Sequence, residues 1–297
     1  MDSARTPVTQ VAARTLRQRL ELVRAELRAA CDERESVEHV HQLRVASRRA
    51  IAALDAFDRL LPAKRRAWFD KRLRRLRRAA GDARDLDVLA ERLAASRPPE
   101  SGRDRARARL VAMLSRQRRA SREPIQLLRS ELDAEDWHAH VERLIESLPG
   151  AKRLSLGRYA RERLEPMVAR FFAIADRKLR DAEEIHRLRI EGKKLRYALE
   201  IFAAVFPPAA RRTSREALET LQETLGEFTD HAAAADRFRR WSREDGMRHE
   251  REAIRSLGWC EEDRAEEARR EFSRWWSGAR RRDLRRTLER SLERRTA

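Results

Sequence analysis

Two short rows of cationic residues carry the most specific chemistry in this sequence. Each row starts at a histidine and continues with arginine or lysine three and seven residues later. The rows are His41, Arg44 and Arg48 in the first half of the chain, and His186, Arg189 and Lys193 in the second half. At 100° per residue the members of one row share a side of a helix and span about 10 Å. Donors arranged in this way suit an anion that carries several phosphate groups.

The histidines are expected to act as phosphate donors. Neighbouring cations disfavour a charged imidazole, whereas a bound phosphate favours it. A metal site is not expected at His41 or His186, because the arginines and lysine beside them are not metal ligands and repel cations. Two acids, Asp85 and Asp230, are predicted to cap helices or to pair with a basic side chain of the site.

Other residues are predicted to extend the two rows. They are Arg49, Lys194, Arg196 and Tyr197 on the same two helices, and Arg72 and Arg75 on the next helix of the first half. Like charges four residues apart repel each other, and solvated helix faces usually mix both signs, so the rows favour a binding face. A plain solvated face is the alternative, above all for the arginines around Arg72.

The rows belong to an internal repeat with an offset of 145 residues. Residues 41–62 read HQLRVASRRAIAALDAFDRLLP, and residues 186–207 read HRLRIEGKKLRYALEIFAAVFP. Further along, Gly81 matches Gly226 at the same offset. Histidine, proline and glycine are rare in this chain, so composition alone does not explain their agreement. In both copies the large apolar residues fall opposite the cations, as in a helix of a bundle.

The composition predicts an all-α protein. The 297 residues include only 9 Gly and 9 Pro, and Leu, Ala, Arg and Glu, which form helices well, dominate. Together with the repeat, this predicts a tandem of two similar helical bundles at residues 1–148 and 158–297, joined by a linker at 149–157. One helix of the first bundle is predicted to stop at Gly81, and the next to begin near Asp85.

The net charge of +19, from 69 Lys and Arg against 50 Asp and Glu, predicts an anionic partner. Nucleic acid, an anionic lipid or a polyphosphate would match that charge. No run of about 18 apolar residues occurs, so we expect no membrane partner. Cys31 and Cys260 are too far apart for a metal knuckle or a disulfide framework, and we expect neither a metal nor a cofactor. A cytoplasmic location is expected.

These motifs resemble the CHAD family, whose name stands for conserved histidine α-helical domain. Each histidine helix is followed by a glycine and then an aspartate, in GDARDLDVL at Gly81–Leu89 and LGEFTDHAAAA at Leu225–Ala235. The resemblance covers about Val8 to Arg290, and the first copy departs from the pattern at Ala50–Ala52. It implies two tandem, pseudo-symmetric four-helix bundles, binding of inorganic polyphosphate, and association with polyphosphate granules.

Three functions fit the charge and the repeat. The first is non-catalytic binding of inorganic polyphosphate, which needs a long cationic track and no catalytic groups. The second is nucleic-acid binding, although only 6% of residues are aromatic and could stack on bases. The third is metal-dependent hydrolysis of polyphosphate or triphosphate, although no P-loop, HExxH or GxSxG motif occurs. We predict the first function, no enzymatic activity, and at most weak nonspecific binding of nucleic acid. The oligomeric state is left open.

Overall fold

The computed structural model describes residues 3–32, 37–95, 103–150, 154–177, 179 and 182–293. Within these residues the backbone forms α-helices and short 3-10 helices and contains no β-strand, which confirms the all-α class. The chain divides into two compact units. The first unit is Pro7–Leu154, and the second is Ser155–Ala297 together with Met1–Thr6.

The first unit contains six α-helices in its described part, where four were expected. They are α1 (Val8–Asp32), α2 (Val37–Ala56), α3 (Ala63–Ala95), α4 (Arg103–Ala120), α5 (Glu123–Ala134) and α6 (Trp137–Glu146), with a 3-10 turn at Asp58–Leu60. Pro124 lies in the first turn of α5, where its missing N–H costs nothing. Asp136, at a φ of 50°, starts α6 by accepting a hydrogen bond from Ala139 N at 3.2 Å.

The second unit contains five α-helices in its described part. They are α7 (Leu156–Ala175), α8 (Ala182–Ile201), α9 (Pro208–Trp241), α10 (Arg251–Trp275) and α11 (Gly278–Glu293), with 3-10 turns at Ala203–Val205 and Asp245–Glu250. Helix α7 begins inside the predicted linker 149–157, of which residues 151–153 lie outside the described part. The N-terminal segment joins this unit because Leu156 N donates to Thr6 O at 2.9 Å.

The element bounds follow the 145-residue repeat. Helices α2 and α8 both begin and end 145 residues apart, and so do the 3-10 turns after them. Helices α3 and α9 also start at that offset. His41 and His186 are therefore each the fifth residue of their helix, and the two cationic rows have the same helical register.

Helices α3 and α9 continue through Gly81 and Gly226, so the predicted breaks at these glycines are wrong. A glycine inside a helix costs about 1 kcal/mol relative to alanine, which the packing of so long a helix outweighs. At Gly226 a Cβ atom would lie 3.4 Å from Nη2 of Arg189, so the small residue leaves room for that guanidinium. Asp85 and Asp230 lie inside these helices and cannot be N-caps.

The apolar side of the repeated helix forms the core of each unit. In α2, Leu43 and Leu54 are fully buried, and in α8 so are Leu188 and Leu195. Helix α2 packs between α1 and α3, and α8 packs between α7 and α9. This packing fixes the orientation of each helix and leaves its cationic side away from the core. In the described residues no helix is both long and apolar enough to cross a membrane.

Candidate anion-binding site

The first row lies on α2, on the side opposite the buried leucines. His41, Arg44 and Arg48 are all half-buried, so their aliphatic or ring portions are packed while their polar ends stay accessible. Nη1 of Arg44 lies 2.8 Å from Oδ1 of Asp85 on α3. This pairing is one of the two roles predicted for Asp85, and it holds the arginine in one orientation.

The charges around His41 show that α3 adds cations to this row. Burial lowers the pKa of His41 below its ordinary value, and the guanidinium of Arg84 on α3 lowers it further. Arg44 and Arg48 act in the same direction, whereas Glu38 opposes them. The surroundings of His41 therefore favour its neutral form, and a phosphate that bound here would favour its protonated form.

The second row, on α8, repeats the arrangement. His186 is exposed, while Arg189 and Lys193 are half-buried. Nη2 of Arg189 lies 3.8 Å from Oδ1 of Asp230 on α9, in the position that corresponds to the Arg44–Asp85 pair. Here α9 adds a second contact, because Gln222 Nε2 donates to the backbone oxygen of Arg189 at 3.2 Å.

Arg72 and Arg75 do not join the α2 row, because they face α5. Arg72 Nε donates to Glu135 at 2.5 Å, and its guanidinium lies 3.8 Å from the centre of the Trp68 ring. Arg75 forms two hydrogen bonds to Glu131, at 2.6 and 2.9 Å. Glu131 of α5 and Glu135, which follows α5, neutralise these two arginines on the side of α3 that packs against α5. The predicted place of Arg72 and Arg75 beside the α2 row is therefore wrong.

The remaining predicted residues lie at the edge of the rows or outside them. Arg49 and Lys194 are eight residues beyond the histidines, about 80° around the helix. Lys194 Nζ donates to Glu191 at 2.6 Å. Tyr197 is only 7% exposed, and its ring packs 4.8 Å from the Arg196 guanidinium. Burial of this ring within the unit removes Tyr197 from the accessible surface, contrary to the expectation.

The sequence interpretation missed three arginines on α3, namely Arg74, Arg77 and Arg84. Burial together with the charge of Arg84 lowers the pKa of His41. Toward the other end of α2, burial raises the pKa of Asp55, and the charge of Arg74 opposes that rise. These arginines share the flank of α3 that also carries Asp85. The spacing of these residues predicts a common flank only for a helix that continues through Gly81, and the sequence interpretation ended the helix there.

The carboxylates near the rows are engaged by basic side chains. Asp85 and Asp230 pair with arginines of the rows. Asp87 is fully buried and accepts hydrogen bonds from Arg118 and Arg122 at 2.8 to 3.0 Å. In the described part of the chain, three or more His, Cys, Asp or Glu side chains nowhere gather as a metal ion would require.

Comparisons with known proteins agree with this architecture. The CHAD domain model matches residues 10–239. A crystal structure of the CHAD domain from the plant Ricinus communis superposes with a TM-score of 0.72 at 22% identity, covering 97% of this chain and 93% of that one. PptA from Streptomyces chartreusis superposes with a TM-score of 0.59 at 19% identity, covering 91% and 99%. No curated protein matches the chain in sequence. The extent of the family match shows that the chain belongs to the CHAD domain family.

Proposed function

We propose that this protein binds inorganic polyphosphate without catalysing a reaction, through the cationic rows on α2 and α8. The observation that carries the proposal is the repeated Arg–Asp pair. Arg44 with Asp85, and Arg189 with Asp230, place an oriented guanidinium in the middle of each row. An arginine has five N–H donors, so a pair that uses one or two of them leaves the others for phosphate oxygens.

A linear polyanion fits these rows better than a compact ligand does. Each row spans about 10 Å along its helix and presents successive donors at intervals of three or four residues. Half-burial of the arginines lowers the entropy lost when they bind, because their stems are already packed. Membership of the CHAD family supports polyphosphate as the ligand, and with it a location at polyphosphate granules in the cytoplasm.

A role in binding alone is supported by the state of the nearby acids. Hydrolysis of a phosphoanhydride needs a metal ion held by carboxylates that face the phosphates. Asp85 and Asp230 are instead paired with arginines, and Asp87 is buried between Arg118 and Arg122. These acids orient cations, which is a positioning role and needs no metal.

The test is a titration of long-chain polyphosphate against three double variants that each remove two positive charges. Arg44→Ala with Arg48→Ala removes the α2 row, and Arg189→Ala with Lys193→Ala removes the α8 row. The control is Arg282→Ala with Arg286→Ala, two exposed arginines four residues apart on α11. A charge-assisted hydrogen bond contributes about 1.5–3 kcal/mol, so each row variant should lose at least about tenfold in affinity.

The control should lose little, because it changes only the long-range field of the protein. Equal losses in all three variants would mean that binding depends on net charge alone, and the proposed rows would be abandoned. A competition with duplex DNA at physiological salt separates polyphosphate from nucleic acid as the partner. Tighter binding of DNA than of polyphosphate would favour the nucleic-acid alternative. Circular dichroism of each variant checks that it is folded.

A further inference from the structure

The two units differ in the charge of the helix that follows the repeated one. Helix α3 carries five basic residues at positions where α9 carries three glutamates and two uncharged residues. The matched pairs are Lys71 with Glu216, Arg74 with Glu219, Arg77 with Gln222, Arg78 with Glu223, and Arg84 with Thr229. Lys71, Arg74, Arg77 and Arg78 are exposed, and so are Glu216 and Glu223. The same backbone path therefore presents opposite charges in the two units.

Part of the α3 set lies beside the α2 row. Asp85, the neighbour of Arg84 on α3, pairs with Arg44 at 2.8 Å, and burial together with the charge of Arg84 lowers the pKa of His41. In the second unit Gln222 reaches the backbone of Arg189, and from the 145-residue repeat we expect position 77 of α3 to face Arg44 on α2. Packed helices lie about 8–10 Å apart, so the arginines of α3 form a second row alongside the first.

The double row has a defined end. At the C-terminal end of α2, Arg66 is surrounded by Asp55 at 2.7 Å, Asp58 at 3.9 Å and Asp70 at 3.5 Å. These acids neutralise Arg66, so the positive surface ends beyond Arg74. The other end lies near Arg84, whose Nη1 is 3.0 Å from Glu91. The cationic surface therefore covers the stretch of α2 and α3 between these acidic boundaries.

We infer that the first unit is the principal polyphosphate-binding unit, and that it selects long chains because these can contact α2 and α3 together. This inference rests on the proposed function. The second unit binds through α8 alone, since Glu223 on α9 repels a polyanion that extends beyond the α8 row, and Glu219, 3.8 Å from Arg215, neutralises that arginine. A short polyphosphate contacts a single row in either unit and gains nothing from α3.

The test compares two pairs of substitutions on α3 that remove the same charge. Arg74→Gln with Arg77→Gln removes cations of the second row. Arg72→Gln with Arg75→Gln removes the arginines that are held by Glu135 and Glu131 on the opposite flank. Affinity is measured for tripolyphosphate and for long-chain polyphosphate at several salt concentrations, with circular dichroism to check folding.

The Arg74 and Arg77 variant should lose about tenfold or more for the long chain and less than about twofold for tripolyphosphate. The slope of log affinity against log salt should fall by about 1.4 to 1.8, as expected for the loss of two phosphate contacts. The Arg72 and Arg75 variant should change by less than about threefold for either ligand. A complementary variant, Glu219→Arg with Glu223→Arg, should raise the affinity for long chains by giving α9 the charge of α3.

The outcomes separate this inference from the proposed function. Equal losses in the two α3 variants, or an equal loss for short and long chains, would overturn the inference. So would an unchanged affinity of the Arg74 and Arg77 variant while removal of the α2 row weakens binding, and in that case the proposed function would stand. A native protein that binds neither polyphosphate would overturn both.

Discussion

The two units keep the same helical path, but they satisfy their buried polar groups differently. In the first unit the buried carboxylate is Asp87 on α3, and it is bound by Arg118 of α4 and by Arg122, which precedes α5. In the second unit the matching position is an alanine, and Glu250 and Glu261 are buried instead. Glu261, on α10, lies 2.6 Å from His231 of α9. A buried carboxylate therefore lies on α3 in the first unit, and on α10, the helix that packs against α9, in the second unit. The repeat therefore preserves the backbone path and the cationic row, whereas the buried polar contacts in the core of each unit are different.

The largest difference between the units should appear when their buried carboxylates are removed. Asp87→Ala leaves Arg122, whose side chain is only 9% exposed, without its partner, and removal of one member of a buried pair costs about 3–5 kcal/mol. Glu261→Ala should cost less, about 1–2 kcal/mol, because its partner Arg264 reaches solvent and keeps its hydration. Chemical denaturation followed by hydrogen exchange measures the stability of each unit.

In Asp87→Ala the amides of α3 and α4 should exchange at lower denaturant concentration than in the native protein. In Glu261→Ala the amides of α9 and α10 should show a smaller change in exchange. Comparable losses in the two variants would show that the two buried pairs are energetically equivalent, contrary to this comparison. An Asp87→Asn variant, which keeps the shape and one acceptor, should fall between the native protein and Asp87→Ala.

A smaller difference is expected at the matched positions Ser47 and Gly192. A Cβ at Gly192 would lie 2.6 Å from Gln222 Nε2 and 3.1 Å from Leu221 Cδ2, so alanine would displace the Gln222 amide from its bond to Arg189 O and press on Leu221. Overpacking costs about 1–3 kcal/mol, which exceeds the gain of about 1 kcal/mol in helix propensity, so Gly192→Ala should destabilise its unit by about 1 kcal/mol. Urea denaturation would measure the change.

Ser47→Ala should act in the opposite direction. The Ser47 hydroxyl is buried and has no hydrogen-bond partner in the described part of the structure. Its removal is expected to leave the first unit unchanged or up to about 1 kcal/mol more stable. A destabilisation as large as that of Gly192→Ala would indicate that the hydroxyl makes an essential contact.

Between pH 7.5 and 5.5 the dependence of stability on pH should be modest, and His41 and His140 of the first unit should contribute to it. Burial and Arg84 lower the pKa of His41, so the unfolded chain binds more protons than the folded one in mildly acidic solution. Stability should fall as the pH drops through the ordinary histidine pKa of about 6.5, and the loss should level off below the folded-state pKa. His140, whose pKa burial and then Arg143 also lower, contributes in the same sense.

Melting temperatures at pH 7.5 and 5.5 would measure this effect. His41→Gln should remove part of the decrease, and His41→Gln with His140→Gln should remove more of it. The affinity for polyphosphate should instead rise as the pH falls, because phosphate favours the charged imidazole. A His41→Gln variant with the pH dependence of the native protein would contradict this assignment.

The smallest effect is predicted for Lys194→Ala. Lys193 belongs to the α8 row, whereas Lys194 lies about 100° around the helix and donates to Glu191. Lys194→Ala should change the polyphosphate affinity by less than about twofold, and Lys193→Ala should lower it several-fold. Since both variants lose one charge on adjacent residues, equal titration results would show that position on the helix does not matter.

Much of this architecture follows from the sequence alone. The low content of glycine and proline determines the helical class, because few other residues interrupt a helix. The agreement of His41 with His186 at a 145-residue offset determines the register of the repeat, since helical periodicity converts spacing directly into position on a face. The two cationic rows and the apolar sides opposite them were predictable for the same reason.

Only the tertiary structure decided which cations belong together. The sequence interpretation ended α3 at Gly81, although packing against α2 keeps that helix intact. It placed Arg72 and Arg75 beside the row, but the glutamates of α5 engage them. A helical wheel shows which residues share a face of one helix, but it contains no information about the neighbour that each flank meets. The charge of the α3 flank beside α2, and the pairing of Arg44 with Asp85, depend on contacts between residues distant in the chain, which local periodicity cannot specify.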